Sequence, residues 1–176
     1  MAQIIKPLNR PFEEYKVLEL LGEGGFGICL KVEDLDGQIF ALKAIKKDTL
    51  GQNQDEILNE MAIHGKLNHP NIVNLYDAFD DNNYVYFKME LCPNQSLFEM
   101  VTTRRELTEI EVRFYMLQLL NAVEYMHNKN IMHRDLKLDN IFLSEDLDLK
   151  VGDFEVLNTD IGHSFEADIW AIGVIM

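Results

Sequence analysis

The apolar pattern of this chain shifts from mainly strand-like to mainly helical near Cys92-Pro93. Before that point, short apolar runs are separated by turn residues. After it, apolar residues recur at helical spacing. Residues 15–21, 26–32, 38–45, 72–79 and 84–91 read as five strands of an antiparallel sheet. Asp36-Gly37 marks one hairpin turn and Asp80-Asp81-Asn82-Asn83 another. Between the third and fourth strands, Ile57, Leu58, Met61 and His64 take helical spacing over residues 55–67, and Pro70 lies just beyond. In the second half, Thr108 with Glu111 makes a capping-box signal. Val112, Tyr115, Met116, Leu119, Leu120, Val123 and Met126 then hold one apolar helix face. Residues 141–143 and 147–151 read as a short hairpin, and 167–176 as an apolar helix. The expectation is an α+β chain of two lobes. A leader spans 1–14, a strand-rich lobe with one main helix spans 15–92, and a helical lobe spans 93–176.

Two features of the first lobe suggest chemistry. Gly22-Glu23-Gly24-Gly25-Phe26-Gly27 holds a Gly-x-Gly-x-x-Gly pattern. A dinucleotide-binding fold would continue into a helix, but residues 28–32 continue as a strand. A strand–glycine–strand flap can lay its backbone amides over phosphates. A plain glycine-rich hairpin fits the pattern equally well. Lys43 sits mid-strand between Ala41 and Ile45. An ammonium there is costly unless something pairs with it, or unless it snorkels out at a sheet edge.

The second lobe carries His133-Arg134-Asp135, with Asn140 five residues after the aspartate, and then Gly152-Asp153-Phe154. This order and spacing resemble the catalytic loop and magnesium motif of protein kinases. The resemblance implies a two-lobed kinase-like fold that uses ATP and Mg2+. Asp135 would accept the proton of an attacking hydroxyl, and Lys137 would neutralise the transferring phosphoryl group. Asn140 and Asp153 would hold the metal. Lys43 would hold the α- and β-phosphates, oriented by Glu60, with Glu56 one turn earlier as the other candidate. Asp168-Ile169-Trp170 is similar to the start of the central helix of the kinase C-lobe, where an aspartate binds the catalytic-loop backbone. A buried capping aspartate is compatible with that role.

The resemblance is specifically to the polo-like serine/threonine kinases. It rests on Gly24-Gly25-Phe26 with Cys29, on Glu90-Leu91-Cys92 before Ser96-Leu97, and on Leu107-Thr108-Glu109. Gly162-His163-Ser164-Phe165-Glu166 before Asp168 fits the same group. It implies a nucleotide site of Gly22, Gly24, Gly27, Cys29, Ala41, Lys43, Met89, Glu90 and Cys92. Met89 would stand beside the adenine, with Glu90 and Cys92 offering backbone hydrogen bonds. Asp139 departs from the glycine usual in that family.

A larger departure follows Phe154. Glu155-Val156-Leu157 stands where a glycine and a long activation segment are expected, and the triplet is similar to the end of Ala-Pro-Glu-Val-Leu. The expectation is a truncated kinase, lacking that segment, the later C-lobe helices and the polo boxes. That segment forms the substrate platform and carries the phosphate that normally pairs with Arg134. The apolar end of the chain is then expected to make the second lobe marginal in stability.

The net charge of −14 argues against nucleic acid or an anionic membrane as the main partner. Cys29 and Cys92 stand apart from each other and from His clusters, which disfavours zinc and fits a reducing compartment. No run of ~18–20 apolar residues is present to span a bilayer. The reading is an intracellular protein of the cytoplasm or nucleus; the resemblance alone adds centrosomes or basal bodies. The expected activity is transfer of the ATP γ-phosphate to a Ser/Thr hydroxyl of a protein substrate. The alternative is a catalytically impaired nucleotide-binding or interaction fragment. Nothing in the sequence sets the oligomeric state.

Overall fold

The structure is a computed structural model that describes residues 3–24, 27–50, 63–154 and 165–175. The chain divides into two compact units. One combines Met1–Asp55 with Leu75–Leu91, and the other combines Glu56–Asn74 with Cys92–Met176.

The first unit is an antiparallel sheet of β1 (Ile4–Ile5), β2 (Tyr15–Gly24), β3 (Gly27–Glu33), β4 (Ile39–Lys46), β5 (Leu75–Asp80) and β6 (Tyr84–Met89). Their order is β1-β2-β3-β4-β6-β5, one strand more than the five expected. The additional strand comes from the leader. Ile4 and Ile5 pair with Lys16 and Tyr15, and Ile5 is buried. Arg10 pairs with Asp77 and so ties the leader to β5. One face of the sheet packs Leu30, Val32, Leu42, Ala44 and Tyr86 with Tyr15 and Phe79 into a core. The expected Asp36-Gly37 turn forms: Gly37 has φ 79°, and Asp34 Oδ1 accepts the amides of Asp36 and Gln38. A helical turn, α1 (Lys47–Leu50), follows β4. The helix expected over 55–67 lies mostly outside the described residues; Ile63 and His64 are helical.

The second unit holds α2 (Leu97–Arg104), α3 (Glu109–Asn128), the hairpin β7 (Ile141–Leu143)–β8 (Leu149–Val151) and α4 (Glu166–Ile175). Its core gathers Tyr115, Leu119, Ala122, Val123 and Met126 of α3 against Ile141, Leu143, Leu149, Val151, Leu136, Phe154 and Ile172. Leu120, expected on the inner face, is exposed, and Ala122 is buried in its stead. Leu119 and Leu120 point 100° apart around the helix, and Leu119 is the one turned to the core. Trp170 and Val174 of α4 are exposed at 78% and 74%.

The Thr108 capping box is present. Thr108 Oγ1 accepts the Glu111 amide, and Glu111 Oε2 accepts the Thr108 amide at 2.8 Å. Bonds from the Thr108 amide and from Arg104 hold the Glu111 carboxyl at about 2, against an ordinary 4.5. A depressed folded-state value means stability that is present above pH 4.5 and is lost as pH falls through about 2. Acid titration should therefore weaken α3 at its N-terminus over that window, and Glu111→Gln should remove that part of the acid dependence in a helicity-versus-pH curve.

Candidate active site

Strand register places the first unit's candidates. Gly22 lies opposite Cys29, Cys29 opposite Lys43, and Lys43 opposite Phe87. Gly24 pairs with Gly27, and Ala41 pairs with Met89. Directly opposed residues share a face, as do residues two apart in a strand. Gly22, Gly24, Gly27, Cys29, Ala41, Lys43 and Met89 therefore lie on one face of the sheet, away from the Leu30–Leu42–Tyr86 core.

The glycines differ in what the fold asks of them. Gly27 has φ 142°, and a Cβ there would stand 2.1 Å from the Ala44 carbonyl oxygen, so the chain itself excludes a side chain. A Cβ on Gly22 or Gly24 would meet nothing within 4 Å. Packing within the unit does not require glycine at those two positions, and their bareness leaves backbone open to a ligand. Glu90 follows β6 in the first unit, and Cys92 begins the second unit's later stretch. Glu60 and Glu56 lie outside the described residues, so the Lys43–glutamate pairing is not described.

In the second unit the catalytic-loop candidates converge. Asp135 Oδ2 accepts Lys137 Nζ at 2.6 Å and Asn140 Nδ2 at 2.8 Å. Asn140 Nδ2 also reaches the Asp135 carbonyl at 2.8 Å, closing the loop on itself. The Asp135 carboxylate holds the Lys137 ammonium above its usual value. With the amide nitrogen of Asn140 turned to Asp135, its Oδ1 is the atom suited to a metal. The hairpin β7–β8 starts just after Asn140 and ends just before Gly152, so its pairing of Ile141 with Val151 brings Asp153 to the same end as the loop. Gly152 N donates to the Asn140 carbonyl at 3.0 Å.

The loop is anchored from beneath. Asp168, on α4 and 1% exposed, accepts the amides of His133 and Arg134 at 3.0 and 2.9 Å, and His127 Nε2 at 2.8 Å. Those bonds hold Arg134 at φ 72°, a conformation disfavoured for a residue with a Cβ. His133 is wholly buried; its Nε2 donates to the Gly152 carbonyl at 2.9 Å and its Nδ1 accepts the Asp135 amide. Burial pushes its imidazole below the ordinary value, which suits this neutral tautomer. Phe154 lies between the rings of His64 and His133, at 4.6 and 4.9 Å.

His64 and His127 thus shape the site although the sequence assigned them no role, and His133, present there only as part of the His-Arg-Asp motif, joins them. His64 meets the Val73 carbonyl nine residues on and the Phe154 ring, and His127 meets Asp168 41 residues on; no local pattern marks those two. Residues 155–164, where the junction after Phe154 falls, are outside the described residues.

The donor set suits magnesium. Asn140 and Asp153 offer oxygen ligands at one end of the hairpin, and this hard cation typically takes one or two carboxylates with phosphates and water. Among the described residues, no group of three or more His, Cys, Asp and Glu forms a closed metal cage. Among them too, no helix is long and apolar enough to cross a membrane.

Comparison with known proteins accords with this geometry. The protein kinase domain profile matches residues 15–159. The chain is 40% identical over 192 residues to the cell cycle serine/threonine-protein kinase CDC5/MSD2 of Saccharomyces cerevisiae, covering 93% of this chain and 27% of that protein. It is 40% identical over 189 residues to serine/threonine-protein kinase plk-2 of Caenorhabditis elegans, covering 92% and 30%. It is 38% identical over 190 residues to serine/threonine-protein kinase polo of Drosophila melanogaster, covering 92% and 33%. The chain thus spans a third or less of the length of these relatives. The matched stretches are longer than the chain's own 176 residues, so within them the relatives carry residues that this chain lacks. With the profile matched over most of its length, the chain belongs to the protein kinase domain family and is similar, within it, to the polo-like serine/threonine kinases.

Proposed function

We propose that this chain transfers the γ-phosphoryl group of ATP to a Ser/Thr hydroxyl of a protein, inside the cell. The observation that carries the proposal is the closed Asp135–Lys137–Asn140 cluster joined through one hairpin to Asp153. Asp135 Oδ2 takes the bonds of Lys137 and Asn140, so Oδ1 is the atom to accept the hydroxyl proton. Lys137, half-exposed beside it, offsets charge on the group being transferred. Asn140 Oδ1 and Asp153 would hold Mg2+. When bound, that ion supplies neutralisation of phosphate charge. In the first unit, the bare backbone at Gly22 and Gly24 and the ammonium of Lys43 would bind the phosphates, with Cys29 and Ala41 on the same face. Met89 and Glu90, with Cys92, would bind the adenine. Phe154, held between two histidine rings, excludes water behind the Asp153 backbone.

The test is labelled ATP with Mg2+ and a Ser/Thr peptide mixture, run beside a nucleotide-binding titration. Magnesium-dependent binding that falls at least tenfold in Lys43→Met, together with label on Ser or Thr, is the expected result. Binding without transfer would replace this reading by the impaired nucleotide-binding one. Absence of magnesium-dependent binding would remove both.

A further inference from the structure

The strand that delivers Asp153 is three residues long, and on the side away from β7 it has two residues' worth of backbone to satisfy. Leu149 and Val151 both turn their N–H and C=O that way, because alternate residues of a strand bond to the same side. At Val151 a backbone answers: Val151 N donates to the Asn71 carbonyl and Val73 N donates to the Val151 carbonyl, both at 2.9 Å. At Leu149 two side chains answer. Gln118 Oε1 accepts the Leu149 amide at 2.7 Å, and Asn71 Nδ2 donates to the Leu149 carbonyl at 3.0 Å. The two side chains also bond each other, Asn71 Nδ2 to Gln118 Oε1, at 2.7 Å. Asn71 is buried, and Gln118 Nε2 reaches Asp148 Oδ1 at 3.2 Å, which sets the orientation of its amide.

Buried backbone polar groups need partners, and here an amide pair from two distant segments stands in for the missing length of a neighbouring strand. Gln118 belongs to α3, a rigid 20-residue helix. The next residues, Gly152 and Asp153, lie just beyond the end of β8. Gly152 is held by the Asn140 carbonyl and by His133 Nε2, and Asp153 sits at φ 57°. Gly152 is also pressed between neighbours, since a Cβ there would lie 2.9 Å from Val73 Cγ2. Small slippage of β8 at Leu149 therefore passes along a stiff, three-residue strand to the aspartate.

We propose that Asn71 and Gln118 are positioning residues that clamp β8 to α3 and so set where Asp153 meets the metal. The inference rests on the reading of Asp153 as a magnesium ligand. Neither residue touches substrate or metal in this arrangement.

The test measures the Mg2+ concentration that half-saturates ATP binding, alongside metal-free adenosine affinity. Gln118→Met removes the shared acceptor, and the half-saturating Mg2+ should rise about tenfold while adenosine affinity holds. Gln118→Glu in an Asp148→Asn background keeps an acceptor oxygen for the Leu149 amide without opposing two carboxylates, and should stay within about twofold of Asp148→Asn alone. Asn71→Ser leaves the backbone pairing with Val151 intact and carries the same expectation as Gln118→Met, so the test survives a Gln118→Met chain that does not fold. Faster amide exchange at Leu149 and Gly152 without nucleotide or metal should accompany the shift. Equal loss of magnesium and adenosine affinity, or unchanged magnesium dependence in both variants, would overturn the clamp. Asp153→Asn is the reference: if it leaves magnesium dependence unchanged, the metal assignment beneath the inference fails, and the inference with it.

Discussion

Asp168→Ala is expected to cost the second unit about 3–5 kcal/mol, the range for stripping one partner from a buried charged network. The carboxylate is 1% exposed and takes three hydrogen bonds, two of them from backbone amides of the catalytic loop. Removing it leaves those amides and the His127 ring facing a void, and each such loss costs ~1–3 kcal/mol. It also releases Arg134 from φ 72°. A domain's whole stability is ~5–15 kcal/mol, so the variant should lose much of its cooperative transition. Urea denaturation followed by helical circular dichroism measures this. Glu124→Gln, at an exposed position of α3, is the matched control and should stay within ~0.5 kcal/mol. A loss below about 1 kcal/mol for Asp168→Ala would show that the loop holds its shape without this anchor.

Asp135→Asn is expected to lower the phosphoryl-transfer rate by ~10²–10⁴, the range for removing a positioned general base. Stability should move little, because the Asp135 side chain is about one-third exposed and asparagine keeps an oxygen to meet Lys137 or Asn140. ATP affinity should also hold, since the proposal gives nucleotide binding to other residues. The discriminating result is thus a fall in kcat with KM for ATP and the melting curve unchanged. Retention of the full rate would mean that the hydroxyl proton goes elsewhere. A fall in ATP affinity of the same size would mean that Asp135 acts on the nucleotide and not on the acceptor.

Much of the architecture is legible in the amino-acid sequence. Four of the first unit's strands begin within a residue of their expected starts: Tyr15, Gly27, Ile39 and Tyr84. The capping box predicted the start of α3, because Thr108 and Glu111 satisfy each other's amides, only three residues apart. Such features are local, and local chemistry is readable from spacing. The sixth strand was missed because Ile4 and Ile5 are two residues whose strand character depends wholly on a partner, Tyr15–Lys16, lying about ten residues on. The later start of β5, at Leu75 where residue 72 was expected, has a similar cause. Residues 71–73 spend their backbone on Val151 and belong to the other unit.

The candidate site divides the same way. The sequence by itself determined that Asp135, Lys137 and Asn140 stand at the spacing of a kinase-like catalytic loop, with Lys43 and Asp153 added by the same resemblance. It also placed Asp168 beneath that loop, through a resemblance whose expected backbone bonds are seen. Only the tertiary structure decided the rest. Sheet register put Gly22, Cys29, Lys43 and Met89 on one face, and a one-residue slip would have sent any strand's members to the other. Only the approach of the Ala44 carbonyl separated Gly27, which the fold requires, from Gly22 and Gly24, which it leaves bare. Asn71, Gln118, His64 and His127 acquired their parts from contacts set by packing. The physical reason is range: capping, turns and catalytic-loop spacing act over a few bonds, whereas the partners of buried polar groups are chosen by whichever distant segment the folded core brings within 3 Å.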